Sequence, residues 1–313
     1  MKLAGVFPGQ GAQSVGMMKE LADNYPVVEQ TFTEAADVLG YDLWSLVQQG
    51  PEEKLTITKY TQPAMFVSGV AAYRVWLEEE GPAPEIVAGH SLGEYSALVA
   101  AKVLSFADAM SIVALRGELM NSAVEEGTGG MAAILGLDDE VVISLCQSLS
   151  GDRIVEAVNF NSPGQIVISG HVDALEKAVS EAKKQGAKMA TMLPVSVPNH
   201  SSLMSCAADP LAQKINSIAA SDPIIPVVQN FEGKIYETLD DMLGALRRHV
   251  DGPVYWTATV HEMKTRGVDT IVEFGPGKVL SGLVKRIDRR LGALPVFDMN
   301  SLQKALSACR GEK

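Results

Sequence analysis

Ile86-Val87-Ala88-Gly89-His90-Ser91-Leu92-Gly93, continued by Glu94 to Ala101, reads as a short buried strand, a tight turn and a helix. Gly89 and Gly93 flank the serine at the spacing GxSxG, where small residues permit a bend that pushes the hydroxyl out of the backbone. Three fixed positions in five arise by chance. The strand before and the helix after are what give the pattern its meaning. In that geometry the Leu92 N–H, at the helix start, faces the oxygen of an attacked carbonyl.

The same alternation extends outward. Leu3 to Phe7 reads as a strand that stops at Pro8-Gly9-Gln10-Gly11, a loop with free backbone N–H groups, so the Gln10 turn is the best source of a second N–H beside Ser91. A helical apolar pattern runs from about Gly69 to Glu79, closed by Pro82 and Pro84, and another from Phe106 to Val124. Such alternation marks a mainly parallel sheet covered by helices.

The texture changes at the Gly-rich joint Glu125 to Gly130. Beyond it, Met131 to Leu137 (strand), Asp138 to Leu149 (helix), Ile154 to Asn159 and Gln165 to Ser169 (strands joined by Asn161-Ser162-Pro163-Gly164), Val172 to Gln185 (helix) and Lys188 to Val195 (strand) spell βαββαβ, the ferredoxin-like order. Strand patterns resume at Ile224 to Gln229 and Thr270 to Phe274. The expectation is an α/β protein with residues 1–126 and 198–313 as a large domain and 127–197 as a small inserted subdomain.

A serine needs a base, and five histidines are available. His90 is turned away by the bend itself, and His171 and His261 read as surface residues. His200 ends the Pro-bounded segment Leu193 to His200 at the join between the two domains, where a cleft is expected. No acid between Ser91 and His200 stands out as a third member, so a dyad with the imidazole held by a backbone carbonyl is the simpler arrangement. Arg116 lies among Ala114, Leu115 and Gly117; taken alone, an arginine there is expected at the surface.

A formal charge of −12 over 313 residues argues against nucleic acid, and an anionic partner must find a local basic patch: Lys285, Arg286, Arg289 and Arg290; Arg247 and Arg248; or Lys183 and Lys184. Three scattered cysteines support neither a disulfide framework nor a zinc site, and a reducing cytoplasm fits them. No run is long and apolar enough to span a membrane, and the N-terminus is unlike a signal peptide.

Together, Phe7-Pro8-Gly9-Gln10-Gly11, Thr61-Gln62-Pro63-Ala64, Gly89 to Tyr95, Arg116-Gly117, Asn159 to Gln165, Val197-Pro198-Asn199-His200 and Phe274-Gly275-Pro276-Gly277 resemble the malonyl-CoA:acyl carrier protein transacylases over nearly the whole chain. The resemblance implies a hydrolase-like parallel-sheet core with a ferredoxin-like insert. It implies Ser91 as nucleophile, His200 as base, backbone N–H groups of Gln10 and Leu92 as oxyanion hole, and Arg116 gripping the malonyl carboxylate, with Gln62 and Asn161 also binding substrate. The His249 carbonyl would orient His200. Malonyl-CoA and an acyl carrier protein are the implied partners of a cytoplasmic monomer that needs no metal or organic cofactor. Competing readings are an acyltransferase serving a polyketide synthase, a thioesterase, and a non-catalytic module that binds carrier proteins.

Overall fold

The five-residue apolar run at Leu3–Phe7 is buried along its whole length, as a strand covered on both faces must be. The structure is a computed structural model and describes residues 1–311; the last two residues of the predicted large domain lie outside it. In chain order the strands are β1 (Leu3–Phe7), β2 (Ile86–Gly89), β3 (Gly129–Leu135), β4 (Val155–Ser162), β5 (Gln165–His171), β6 (Met189–Met192), β7 (Val227–Val228), β8 (Thr270–Phe274) and β9 (Gly292–Val296).

Five of them form a sheet in the order β7-β2-β1-β8-β9, with every neighbouring pair parallel. The helix Thr58–Glu78 packs on it, bringing Tyr73 and Trp76 against Phe274, with Tyr73 also edge-on to Phe7. This helix begins at Thr58, not near Gly69 as its apolar pattern predicts. Its first turns bury the polar residues Thr61 and Gln62 and carry Pro63, which together hide the apolar period.

The other four strands form an antiparallel sheet in the order β4-β5-β3-β6, with connecting helices Asp139–Leu149 and Val172–Lys184. That is the ferredoxin-like arrangement expected from the βαββαβ order. Its core is aliphatic, built from residues such as Ile134, Leu145, Ile166, Ile168 and Leu175.

Prolines shorten two strands relative to their predicted lengths. Pro226 stands immediately before β7 and Pro223 three residues earlier, and Pro194 follows β6, because a residue without an N–H cannot extend a ladder. By contrast β4 runs further than predicted. The β4–β5 turn is only Pro163-Gly164, with Gly164 at φ 68°, so Asn161 and Ser162 belong to the strand. Asn161 is thereby fixed within a sheet and not carried on a loop.

Candidate active site

Ser91 sits at the end of β2 in left-handed backbone, φ 51°. Glycine is required on either side: a Cβ on Gly89 would lie 1.9 Å from Gly93 C, and one on Gly93 would lie 2.1 Å from Phe7 O. The bend closes through Gly93 N–H to His90 O and Glu94 N–H to Ser91 O, after which the helix Gly93–Ala100 begins. Ser91 itself remains partly exposed.

The Ser91 Oγ lies 2.7 Å from His200 Nε2, across 109 residues of chain. The other ring nitrogen, Nδ1, stands 3.1 Å from both His249 O and Gly252 O. Carbonyl oxygens only accept, so Nδ1 carries the proton and Nε2 is the acceptor for the serine hydroxyl. Burial first, then the positive charge of Arg116, pushes the His200 imidazolium down to about 3, so the ring is neutral at ordinary pH. The histidine is 3% exposed and lies, like Ser91, in left-handed backbone at φ 66°.

Arg116 is 1% exposed, against the expectation for a lone arginine on its helix. Its Nη1 donates to Gln62 Oε1 at 2.7 Å and its Nη2 reaches Ser91 Oγ at 3.4 Å, while Nε has no partner. Among the described residues no carboxylate approaches it within salt-bridge distance. Taking a guanidinium out of water costs several kcal/mol unless an anion compensates, and this one lies buried beside the serine with its Nε unpaired. Gln62 in turn donates to Gln10 Oε1 at 3.3 Å, tying the Gln10 loop to the Arg116 side of the site. The backbone N–H groups of Gln10 and Leu92 have no protein acceptor among the described residues, so both are free to bind an oxygen.

Strand β4 joins the two halves of the site. Asn161 Oδ1 accepts from His90 Nε2 at 2.7 Å, next to the nucleophile, and Glu156 accepts from Ser202 N at 2.7 Å and Ser202 Oγ at 2.8 Å, just past the histidine. Asn161 thus reaches the site through His90. The His90 ring meets Asn161 and Trp256, and among the described residues it makes no hydrogen bond to Ser91 Oγ.

Sequence reasoning missed Gly252, whose carbonyl shares His200 Nδ1 with that of His249. It also missed Glu94 and Asn230, each 1% exposed, which back the elbow. One signal was present: a charged Glu94 inside the apolar run GEYSALVA. Nothing in the sequence marked Asn230. The basic clusters are largely engaged elsewhere: Arg290 with Asp288, Lys184 with Glu181, and Arg248 over the Phe231 ring. Among the described residues no group of three or more His, Cys, Asp or Glu side chains is gathered as for a metal ion, and no helix is long and apolar enough to cross a membrane.

Comparison with known proteins bears on this geometry. The acyl transferase domain family matches residues 5–287. The malonyl CoA-acyl carrier protein transacylase of Escherichia coli (strain K12) is 50% identical over 305 residues, covering 97% of this chain and 99% of its own. That of Haemophilus influenzae is 52% identical over 301 residues, 96% of each chain. Among solved structures, a malonyl-transacylase in complex with a type II PKS acyl-carrier protein superposes with a TM-score of 0.96 at 52% identity, covering 98% of this chain and 100% of that one. The malonyl-CoA:acyl carrier protein transacylase of Xanthomonas oryzae does so with a TM-score of 0.96 at 46% identity, over 98% and 99% of the two chains. A serine elbow, a neutral histidine within reach and a buried arginine beside them thus occur in a chain that belongs to the acyl transferase domain family, among its malonyl-CoA:acyl carrier protein transacylases.

Proposed function

We propose that the chain moves a malonyl group from malonyl-CoA to the phosphopantetheine thiol of an acyl carrier protein through an ester on Ser91. His200 Nε2 takes the hydroxyl proton as Ser91 Oγ attacks the thioester carbonyl, and the developing oxyanion is received by the Gln10 and Leu92 N–H groups. The C–S bond then breaks, and the CoA sulfur leaves with the proton from His200. The carrier thiol repeats the steps in reverse: it gives its proton to His200, attacks the ester and returns Ser91 to its hydroxyl form.

One observation carries the malonyl assignment: Arg116 Nη2 lies 3.4 Å from Ser91 Oγ. In a malonyl thioester a single methylene separates the carboxylate from the carbonyl under attack, so the group that grips one must sit close beside the group that attacks the other. An acetyl group would leave the guanidinium buried and unpaired, which is the basis of preference. Gln62, bonded to Arg116, holds the fork in place for this task. All proton transfers are assigned to His200, and no metal or organic cofactor enters the scheme.

Incubation with malonyl-CoA in the absence of carrier should add one malonyl group to the intact protein, on Ser91. Rapid release of free CoA without such an adduct would identify a thioesterase instead. A polyketide carrier is a second reading favoured by one observation, the likeness to a transacylase bound to a type II PKS carrier. Comparing transfer rates to fatty-acid and polyketide carriers separates the two. The residues assigned to the reaction all come from one chain, which supports action as a monomer, and unpaired Cys146, Cys206 and Cys309 suit the reducing cytoplasm. Sedimentation at working concentration and fractionation of cells check these last two points.

A further inference from the structure

The side chain of Asn230 spans the elbow from behind. Its Oδ1 accepts from Ser91 N at 3.0 Å and its Nδ2 donates to Gly89 O at 2.7 Å, so one amide bridges both sides of the turn. Glu94 locks that amide. The carboxylate Oε2 accepts from Asn230 N at 2.8 Å and also from Asn230 Nδ2, while Oε1 accepts from Gln229 Nε2 at 2.9 Å. Burial pushes the Glu94 carboxyl above its ordinary range, but these partners all donate and none accepts the O–H of a protonated carboxyl, so the hydrogen bonds favour the carboxylate. Among the described residues the one basic side chain within ion-pair distance, His249 with Nδ1 3.9 Å from Oε2, is beyond hydrogen-bond reach. Among the described residues neither the Glu94 nor the Asn230 side chain is hydrogen-bonded to Ser91 Oγ, His200 or Arg116.

Ser91 needs such support. It is a non-glycine residue at φ 51°, and the direction of its Cβ, hence the 2.7 Å contact with His200, depends on that backbone staying left-handed. We propose that Glu94 and Asn230 are positioning residues for acyl transfer: a buried carboxylate locks an amide that clamps the Ser91 backbone and so fixes the nucleophile against its base. The acid missing from the histidine side of this dyad is thus present on the serine side, where it acts through the main chain. The inference rests on Ser91 being the acylated residue.

The test is single-turnover acylation by malonyl-CoA, followed by quenching and intact mass. Glu94→Gln keeps the shape but turns an NH2 toward a ring of donors. Its rate constant at saturation should fall on the order of 10²-fold, as expected for a nucleophile displaced by a fraction of an ångström to an ångström. The half-saturating malonyl-CoA concentration should stay within about threefold, because the interactions that bind substrate are untouched. Asn230→Ala, which leaves Glu94 in place, should give the same split and decides alone if Glu94→Gln does not fold. The double variant should be no slower than the slower single, since the two act as one unit.

A purely structural role would lower the folded, reactive fraction and leave the rate constant of that fraction intact; this outcome overturns the proposal, as does a loss confined to half-saturation. Wild-type protein that forms no Ser91 ester would instead reject the assignment of the nucleophile.

Discussion

Ser91 and His200 are both non-glycine residues in left-handed backbone, at φ 51° and 66°, a conformation that costs about 1–3 kcal/mol unless the surroundings enforce it. They are enforced by different means. The serine is fixed largely by its own neighbours, through glycines that admit Phe7 O and the turn of the next helix, with Asn230 closing the bend from behind. The histidine is fixed by parts far away in the chain: carbonyls at 249 and 252 hold its ring, and Glu156 of β4 anchors the backbone just after it. One half of the site is written in consecutive residues, and the other is assembled by the fold. The nucleophile side should therefore be sensitive to local sterics and the base side to the placement of distant backbone.

The largest expected effect separates the two halves outright. Ser91→Ala should abolish the covalent malonyl adduct, while His200→Ala should leave a hydroxyl that reacts on the order of 10⁴-fold more slowly. Intact mass after incubation with malonyl-CoA measures both. An adduct that survives in Ser91→Ala would move the nucleophile out of the elbow. Arg116 belongs to neither half, and Arg116→Ala should cost the preference for malonyl over acetyl about 10²-fold, read from the ratio of kcat/KM for the two thioesters.

Glycines test the contrast at finer scale. On the serine side, Gly93→Ala must displace Phe7 O and should lower stability by about 1–3 kcal/mol and acylation by roughly 10²-fold. On the histidine side, Gly252→Ala places a Cβ 2.6 Å from Arg248 O and shifts one of the two carbonyls facing Nδ1. Because His249 O remains, the loss should be about tenfold, the worth of roughly one hydrogen bond. Thermal melts with transfer rates measure both, and a larger effect at Gly252 than at Gly93 would reverse the contrast.

Legibility in the sequence follows the same division. The elbow could be read from the order strand, GxSxG, helix, because its geometry is local. The small sheet could be read from six elements whose apolar periods were intact, whereas Thr61, Gln62 and Pro63 masked the start of the long helix that carries Gln62. Apart from the family resemblance, His200 was reachable only by setting other histidines aside and by its Pro-bounded place at the join between the domains. Its carbonyl partners carry no side-chain signature at all: the His249 carbonyl entered only through family resemblance, and that of Gly252 not at all. Arg116 shows how context overrides a residue's average behaviour, since its burial makes sense only beside Ser91. Asn230 lies 139 residues from the serine N–H it binds, a distance no local pattern crosses.

The smallest expected effect is a flat line, and it probes the burial of the base side directly. A free histidine titrates near 6.5, so an ordinary catalytic imidazole would lose about thirtyfold in activity between neutral pH and pH 5. In this site burial, then Arg116 and His90, lower the value to about 3. The shift disfavours the charged ring, so His200 stays a base as pH falls, and Ser91 acylation should change little from pH 8 down to about 5. Stability should not be flat. Between about 6.5 and about 3 the unfolded chain binds a proton that folded His200 refuses, so stability falls as pH drops through that window, and the buried rings of His90 and His249 add to the same trend. Arg116→Ala removes a positive charge from beside the imidazole, so its acid limb should move up toward 6.5. Rates of adduct formation from pH 4 to 8, alongside melts in the same buffers, give both curves. A wild-type acid limb centred near 6.5 would mean that water reaches the imidazole, and the fold-assembled half of the site would then be the looser of the two.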